Sequence, residues 1–263
     1  MTRTLAITRP VPASLARCEL THLARMPIDL ARARAQHAAY ERALEAAGCE
    51  IVRLAELPEQ PDSVFVADPA VVLNEIAVIA RPGAASRRGE VASVAAVLAP
   101  HRELAHIEPP GTLDGGDVLV LERTLYVGLS NRTNAEGARQ LAALVAGHGH
   151  QVRRLEVEGA LHLQTAVTQA AERVLVLNPR WLDASQLPDW DRVEIDAREP
   201  FAANVLYVHG VTLCAAAHPR TNEALAARGA RVVPVEADEL AKAEGGVTCC
   251  SLLVQQLGSG TDC

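Results

Sequence analysis

The chain has 263 residues, of which 49% are hydrophobic and 3% aromatic, and its net charge is −7 at pH 7. This length allows one large hydrophobic core or two modest ones. The scarcity of aromatic rings for base stacking, together with the lack of a Lys and Arg surplus, argues against nucleic-acid binding. No apolar run approaches the length of a membrane span.

The N-terminus and the cysteines indicate the cellular compartment. The first ten residues lack the apolar stretch of a signal peptide. Six cysteines are scattered along the chain without a C-x-x-C pair, and a protein of this size does not need disulfides to fold. We therefore predict a cytoplasmic protein with reduced thiols and no membrane partner.

One pattern recurs along the chain: an Ala-rich amphipathic stretch, a glycine and then a short strand. Each stretch is predicted to be a helix that ends at its glycine, because a left-handed backbone costs glycine nothing, with a strand starting two or three residues later. The clearest copies are 44–54 with Gly48, 144–155 with Gly149 and 225–235 with Gly229; weaker copies are 97–107 and 187–195.

Strand-like runs separate these copies, and 121–127 is typical of a hairpin. The pattern fits an ordinary doubly wound sheet, in which helix, glycine and strand alternate. It equally fits a ring of five small mixed modules, because the copies recur at roughly 40 to 50 residues. A ring would bring loop residues from all modules around one central channel. No linker interrupts the chain, so we predict one domain, 1–263.

The first candidate site residues lie in the segment 61–70, where Asp62 and Asp68 flank Phe65. Asp68 stands directly before an apolar strand, an unusual place for a charge that has no partner. Carboxylates form planar, bidentate hydrogen bonds with guanidinium groups, so this segment favours a cationic ligand.

Arg87, Arg88 and Arg132 follow turns and precede helices, where they would hold a ligand carboxylate or simply be solvated. The segment 112–118 places two acidic residues around a glycine pair before a strand. That pattern is common turn chemistry. The alternative is that Asp114 enters a pocket and orients a histidine.

His162 and Cys249 are the candidate acid/base and nucleophile. His162 lies between leucines, which favours a partly buried position, although a lone histidine there is also typical of a structural role. Cys249 and Cys250 follow Gly245 and Gly246, on a turn that permits close backbone approach. A structural cysteine at the start of a strand fits this pattern equally well, and no second cysteine pair completes a structural zinc site.

The order of these segments resembles the dimethylarginine dimethylaminohydrolase family, within the guanidine-modifying superfamily of arginine deiminases and amidinotransferases. The resemblance runs from about Arg9 to Val254 and rests on these segments: Asp-Ser-Val-Phe-Val-x-Asp, Arg-Pro-Gly-Ala-x-Ser-Arg-Arg, Thr-Leu-Asp-Gly-Gly-Asp-Val, Gly-Leu-Ser-x-Arg-Thr-Asn, Leu-His-Leu and Thr-Cys-Cys-Ser. It implies an α/β fold, a pseudo-fivefold α/β-propeller of five ββαβ-type modules around a central active-site channel.

The resemblance also implies a role for each candidate. Cys249 would be the nucleophile, His162 the general acid/base and Asp114 its orienting carboxylate. The remaining residues would bind substrate: Asp68 the guanidinium, Asp62 the α-amino group, Arg87 and Arg132 the α-carboxylate, Phe65 by packing, Leu20 from a mobile lid, and Glu244 as a further acidic contact.

The implied reaction converts Nω-methylated arginine, either asymmetric dimethylarginine or monomethylarginine, to citrulline and an alkylamine without a cofactor. A thiolate suits this reaction because the resonance-stabilised guanidinium carbon is a poor electrophile. Zinc bound by Cys249, Cys250 and His162 would be an inhibitor. The partner is the small-molecule substrate, and the chain would be a monomer or a homodimer.

One departure from the family pattern concerns the choice of substrate. Ala67 stands where many relatives carry Glu, so one carboxylate near the guanidinium is missing. Arginine deiminase is therefore the first alternative, although deiminases and amidinotransferases are usually longer chains. A non-catalytic arginine-binding module is the second, and it would be expected to have lost the Cys, His or acidic residue that this chain retains.

Overall fold

The computed structural model describes residues 3–256. Cys263 and the ends of the predicted domain 1–263 lie outside the described residues. The strands are β1 Thr4–Thr8, β2 Cys49–Arg53, β3 Ala70–Val72, β4 Ile76–Ile79, β5 Glu103–His106, β6 Val118–Leu121, β7 Thr124–Leu129, β8 Gln151–Glu156, β9 Val167–Ala171, β10 Val174–Leu177, β11 Asp191–Glu194, β12 Val205–Val208, β13 Val211–Ala215, β14 Val232–Val235 and β15 Leu252–Gln255. The α-helices are α1 Leu30–Ala46, α2 Val91–Leu98, α3 Ala135–Ala146, α4 Leu163–Ala166, α5 Pro219–Ala227 and α6 Asp238–Ala241. Short 3-10 helices span Leu15–Arg17, Ala85–Glu90, Gly115–Asp117 and Ala184–Gln186.

The strands form five separate three-stranded sheets with one shared topology. Their strand orders are β15-β1-β2, β3-β4-β5, β6-β7-β8, β9-β10-β11 and β12-β13-β14. In each sheet the middle strand is antiparallel to one neighbour and parallel to the other. A parallel pair needs a crossover connection, which a helix supplies here. The fold is thus mixed α/β, and the alternative of one doubly wound sheet is wrong.

The predicted helix ends are confirmed. Gly48, Gly149 and Gly229 have φ values of 92°, 77° and 86°, the left-handed geometry that stops a helix. Strands begin two and three residues after Gly149 and Gly229, as expected, but β2 begins directly after Gly48. The predicted hairpin at 121–127 is confirmed as the β6–β7 turn.

The weak copy at 187–195 differs from the others because its crossover contains only the 3-10 helix Ala184–Gln186. The Asp183 carboxylate accepts the Ser185 N–H at 2.9 Å, which closes a tight turn. Pro188 follows two residues after this helix, and a proline cannot continue a helix because it has no N–H to donate. The repeat therefore persists in its strands while its helix is reduced.

A cavity of about 280 Å³ is lined by the antiparallel outer strand of every sheet. These strands are β3, β6, β9, β12 and β15, and β9 contacts β12 while β15 contacts β3. A polar or thiol side chain lies between one and five residues before each of these strands: Asp68, Asp114, His162, Asn204 and Cys249. The fold thus gathers residues that are far apart in sequence.

Candidate active site

A small pocket of about 20 Å³ lies beside Cys249. Its lining residues are Glu19, Asp62, Phe65, Asp68, Arg87, Arg132, Leu161, His162, Ala243, Glu244, Gly245 and Cys249. Eight of the ten predicted site residues are among them. The other two are Asp114, which is bonded to His162, and Leu20, which is half-buried against the core cluster that contains Cys18. The pocket has room for roughly one water molecule, so an amino acid needs the site to open.

The two adjacent thiols face different surroundings. Cys250 is buried in the core, and its Sγ contacts the Gly246 carbonyl oxygen at 3.5 Å. Cys249 is half-buried and lines the pocket, where its Sγ accepts the Gly246 N–H at 3.3 Å. Gly245 makes this turn feasible, because a Cβ there would lie 2.1 Å from the Phe65 ring. Cys249 is therefore the thiol of the doublet that a ligand can reach.

His162 is buried between two carboxylates. Its Nε2 lies 3.1 Å from Asp114 Oδ2, and its Nδ1 lies 3.8 Å from Asp68 Oδ1. The other Asp114 oxygen accepts the Gly83 N–H at 3.0 Å, which fixes the carboxylate that orients the imidazole. The predicted pairing of Asp114 with the histidine is thus present in the structure.

The electrostatics of the site keep both the thiol and the imidazole protonated. Burial alone would lower the pKa of His162, but Asp68, Asp117 and Asp114 outweigh it and raise this pKa to about 9. Burial, with a further contribution from Asp68, raises the pKa of the Cys249 thiol to about 11. At neutral pH the site thus holds a thiol beside an imidazolium.

Arg87 is buried and its guanidinium is almost fully used within the protein. It pairs with Asp68 through Nη1 and with Glu90 through Nε and Nη2, at 3.1 and 2.8 Å from the two Glu90 oxygens. Nη2 also donates to the carbonyl oxygens of Asp62 and Phe65. The carboxylate predicted to grip a guanidinium does so here with the chain's own arginine.

Asp62 and Arg132 line the end of the pocket next to Glu19 and Thr21. Asp62 is buried, and its Oδ2 accepts the Glu19 N–H at 3.1 Å. Burial raises the pKa of Asp62 despite the nearby Arg87. Arg132 is half-buried, and its Nη2 donates to Thr21 Oγ1 at 3.3 Å. One negative and one positive side chain at the same end suit the two charges of an α-amino acid.

Glu244 holds a segment that contains Glu19, a residue of the pocket lining. Its carboxylate accepts the backbone N–H groups of Thr21, His22 and Leu23 at 2.6 to 3.1 Å. Glu244 has a φ of 58°, a left-handed conformation that is costly for a residue with a side chain. Its carboxylate is thus engaged with the cover, residues 19–25, as well as exposed to the pocket.

The buried charges near the pocket do not balance. The buried carboxylates of this region are Asp62, Asp68, Glu90, Asp114 and Asp117. The buried cations that face them, among residues 3–256, are Arg9, Arg87 and the protonated His162. Burial accordingly raises the pKa values of Asp62, Glu90 and Asp117. A bound cation would relieve this excess of negative charge.

Asp68, Asp114 and His162 offer ligand atoms that all lie within 4.8 Å of one another. Each already has a protein partner: Asp68 pairs with Arg87, and Asp114 with His162. A histidine that binds a metal must be neutral, whereas the pKa of His162 is raised to about 9. We therefore infer no resident metal at these three residues.

Two buried carboxylates received no role from the sequence. Glu90 neutralises Arg87 from three residues further along the 3-10 helix Ala85–Glu90, a spacing that the sequence does contain. Asp117 is the second acid of the glycine-flanked segment, and it accepts the Leu163 N–H next to His162 at 3.0 Å. Ala67, the departure from the family pattern, lines the 280 Å³ cavity, and its N–H donates to the Cys249 carbonyl oxygen at 3.1 Å.

None of the helices within residues 3–256 has the length and apolar character that crossing a membrane requires.

Comparison with known proteins gives three results. A family model described as arginine deiminase matches residues 56–209. The N(G),N(G)-dimethylarginine dimethylaminohydrolase of Pseudomonas aeruginosa is 38% identical over 226 residues, which cover 85% of this chain and 89% of that protein. The protein of the same name from Streptomyces coelicolor is 38% identical over 253 residues, covering 95% and 96%.

A solved structure extends the similarity to three dimensions. The structure of DDAH from Pseudomonas aeruginosa, a cysteine-to-serine variant complexed with citrulline, superposes with a TM-score of 0.87 at 35% identity and covers 96% of this chain and 99% of that one. The similarity thus spans nearly the whole chain in sequence and in structure. The chain belongs to the dimethylarginine dimethylaminohydrolase family, within the wider arginine deiminase family.

Proposed function

We propose that this enzyme hydrolyses Nω-methylated arginine, both asymmetric dimethylarginine and monomethylarginine, to citrulline and an alkylamine. One observation carries the proposal: Cys249 and His162 line the same acid-rich pocket, and Asp114 is hydrogen-bonded to His162. The two relatives above carry the name of this activity, and the Pseudomonas aeruginosa structure holds citrulline.

The first half-reaction transfers the guanidinium carbon to sulfur. The substrate cation beside Cys249 favours the thiolate, and the thiol proton passes to solvent. Sulfur attacks the guanidinium carbon and forms a C–S bond. His162, protonated at neutral pH, donates its proton to the methylated nitrogen. The C–N bond breaks, the alkylamine leaves, and an S-alkylthiouronium remains on Cys249.

The second half-reaction releases the enzyme. Neutral His162 takes a proton from water, and the oxygen attacks the thiouronium carbon. The C–S bond breaks, its electron pair returns to sulfur, the remaining hydroxyl proton passes to that sulfur and restores the thiol, and citrulline forms. Asp114 keeps the imidazole oriented and stabilises its charged form in both halves. These steps balance without a cofactor. Zinc would inhibit by binding Cys249 and His162, and Cys250 would not contribute because it is buried.

Substrate recognition follows the charges of the pocket. Asp68 binds the guanidinium, Asp62 the α-amino group and Arg132, with Arg87, the α-carboxylate. We expect Arg132 to contribute more than Arg87, because Arg87 already balances Asp68 and Glu90. Phe65 packs against the substrate stem. Leu20 belongs to the cover, and Glu244, which holds that cover, adds an acidic contact.

For the fold, we propose that the five sheets are the modules of a pseudo-fivefold α/β-propeller in one domain. The cavity lined by one outer strand of every sheet supports this arrangement. Its axis would be the central channel, with the candidate catalytic residues at one end. We also propose a cytoplasmic protein that acts as a monomer or a homodimer.

Arginine deiminase activity is the second candidate, and the matching family model supports it. Ala67 does not distinguish the two substrates, because it offers a carboxylate to neither guanidinium and lines the 280 Å³ cavity. The family model that matches residues 56–209 is described as arginine deiminase. Ammonia would then be the leaving group, and unmodified arginine the substrate.

A citrulline assay distinguishes these functions. Asymmetric dimethylarginine, monomethylarginine and arginine are compared as substrates of the wild type, Cys249→Ser and the matched control Cys250→Ser, with folding checked by circular dichroism. We expect turnover of the methylated substrates, loss of activity in Cys249→Ser and retention in Cys250→Ser. Equal or faster turnover of arginine would reassign the enzyme as a deiminase, and activity in Cys249→Ser would reject the nucleophile.

A further inference from the structure

Asp117 is a buried carboxylate that helps to raise the pKa of His162 and has no contact with the reacting groups described above. It ends the 3-10 helix Gly115–Asp117, directly before β6, and is 0% exposed. Burial raises its pKa to about 6, although His162 nearby acts in the opposite direction. Keeping such a carboxylate ionised inside a protein costs free energy, so the interactions of its two oxygens are informative.

The two oxygens of Asp117 hold two different segments of the site. Oδ1 accepts the N–H of Leu163 at 3.0 Å, and Leu163 follows His162 and begins α4. Oδ2 accepts the Ser130 hydroxyl at 2.6 Å. The carboxylate thus bridges the backbone next to the imidazole and the loop that starts at Ser130.

Ser130 continues the connection to Arg132. Its Oγ accepts the N–H groups of Arg132 at 3.0 Å and Thr133 at 3.2 Å. Thr133 Oγ1 in turn accepts the Asp114 N–H at 3.1 Å. The hydroxyl that donates to Asp117 therefore orders the loop that carries Arg132.

The surroundings leave space for this bridge. Gly128 in β7 lies opposite it, and a Cβ there would come within 2.9 Å of the Leu163 Cβ and 3.2 Å of Asp117 Oδ1. Any larger residue at 128 would push Leu163 or Asp117 away. The absence of a side chain at Gly128 keeps the carboxylate in contact with both partners.

We propose that Asp117 is a positioning residue that holds His162 and Arg132 in a fixed relation. The inference rests on the proposed function for the roles of those two residues. Because the Leu163 N–H and the Ser130 O–H are both donors here, both oxygens at position 117 must accept. An ionised aspartate meets this requirement. Asparagine meets half of it, since turning its amide oxygen toward one donor turns its NH₂ group toward the other.

The test compares Asp117→Asn and Ser130→Ala with the exposed control Asp191→Asn, using steady-state kinetics per folded molecule. We expect Asp117→Asn to lower kcat by on the order of 100-fold, because the acid/base group loses its alignment. Ser130→Ala should raise KM about 3- to 10-fold, the effect of one hydrogen bond, with little change in kcat. The control should match the wild type.

Several outcomes would overturn the proposal. One is a folded Asp117→Asn variant with wild-type kcat; another is Ser130→Ala with an unchanged KM, a result that decides the matter even if Asp117→Asn does not fold. A loss of thermal stability in both variants, with unchanged kinetics, would show a purely structural role.

A readout without substrate separates this inference from the proposed function. The NMR signals of the His162 imidazole, assigned by their loss in His162→Gln, should shift or broaden in Asp117→Asn and not in Asp191→Asn. If the wild type hydrolyses no guanidine substrate but these signals shift, the proposed function fails and the positioning role stands. Unchanged signals in a folded Asp117→Asn variant contradict the positioning role.

Discussion

At the scale of single residues, the Cys249 thiol and the His162 imidazole both keep their protons at neutral pH, for different physical reasons. Loss of hydration and the negative Asp68 raise the pKa of Cys249 to about 11, because both disfavour a thiolate. Three carboxylates raise the pKa of His162 to about 9, because they favour an imidazolium. In the resting site, His162 therefore carries the proton that the leaving group needs. Cys249 forms a thiolate only when a cationic substrate binds beside it.

The first prediction concerns the reactivity of Cys249 in the free enzyme. Since only the thiolate reacts, alkylation by iodoacetamide should be slow at pH 7 and should rise about tenfold per pH unit toward pH 11. Mass spectrometry of the peptide that contains residue 249 measures the rate, and Cys249→Ser is the control. A rate that levels off below pH 8 would contradict the raised pKa.

The second prediction concerns stability and His162. A raised folded-state pKa contributes stability that is fully present below the unfolded value of 6.5 and is lost as the pH rises through about 9. We expect the free energy of unfolding to fall by about 2 kcal/mol more between pH 7 and 9 in the wild type than in His162→Gln. Urea unfolding of both proteins measures the difference, and parallel pH profiles would reject the prediction.

At the scale of elements, Glu244 makes more hydrogen bonds to the cover than Asp62 or Arg132, which also contact it. Three backbone N–H groups of the segment 19–25 point at Glu244. Hydrogen bonds to a charged acceptor are stronger than neutral ones, and their loss would free the segment without disturbing a helix or a strand. We therefore expect that weakening these bonds loosens the cover while the sheets remain intact.

The third prediction tests this attachment with Glu244→Gln. A neutral amide offers one acceptor oxygen instead of two, so amide hydrogen exchange at Thr21, His22 and Leu23 should accelerate, and KM should rise by about tenfold. Glu122→Gln, at an exposed ion pair with Arg173, is the matched control. Unchanged exchange at the three amides would show that Glu244 does not hold the cover.

Sequence patterns predicted the positions of helices and strands better than they predicted which side chains are buried. Glycines at the ends of helices and alternating strand runs depend on local backbone preferences, and they located the repeat. Arg87 follows a turn like a solvated residue, yet it is buried between Asp68 and Glu90. Such a placement depends on contacts between distant segments, which local patterns do not encode.

The same limit applies to the candidate site. Cys249, His162, Asp68 and Asp62 could be identified because a family motif orders them along the chain, and all four line one pocket. The role of Asp117 could not be assigned, because Leu163 belongs to a different sheet unit and Ser130 lies beyond β7, so local patterns reveal neither contact. Sequence motifs therefore identify the reacting and binding side chains more readily than the side chains that position them.

At the scale of the whole molecule, β15 joins the two ends of the described chain. It pairs antiparallel with β1, with Thr4 opposite Gln255 and Ile7 opposite Leu252, and so completes the first sheet. Cys249 lies three residues before β15, so this strand fixes the chain on one side of it, while the Ala67 N–H holds its carbonyl oxygen. The position of the nucleophile therefore depends on this pairing.

The fourth prediction tests how tightly β15 is packed, using Val254→Ala. Val254 is 0% exposed, and removing its two methyl groups should lower the free energy of unfolding by about 2 kcal/mol. The half-buried Val233 in β14 supplies the matched control, Val233→Ala, with a smaller loss. Chemical denaturation measures both, and equal losses would show that β15 is not the more tightly packed strand.

The pairing of β1 with β15 also has a consequence for biosynthesis. During translation, β1 and β2 emerge early but cannot complete their sheet until almost the whole chain has left the ribosome. Contacts between such distant segments form slowly, because a long loop must close first. A chain that ends before β15 therefore lacks the third strand of the first sheet. Such a truncated chain cannot hold its active site together and so cannot act on arginine derivatives.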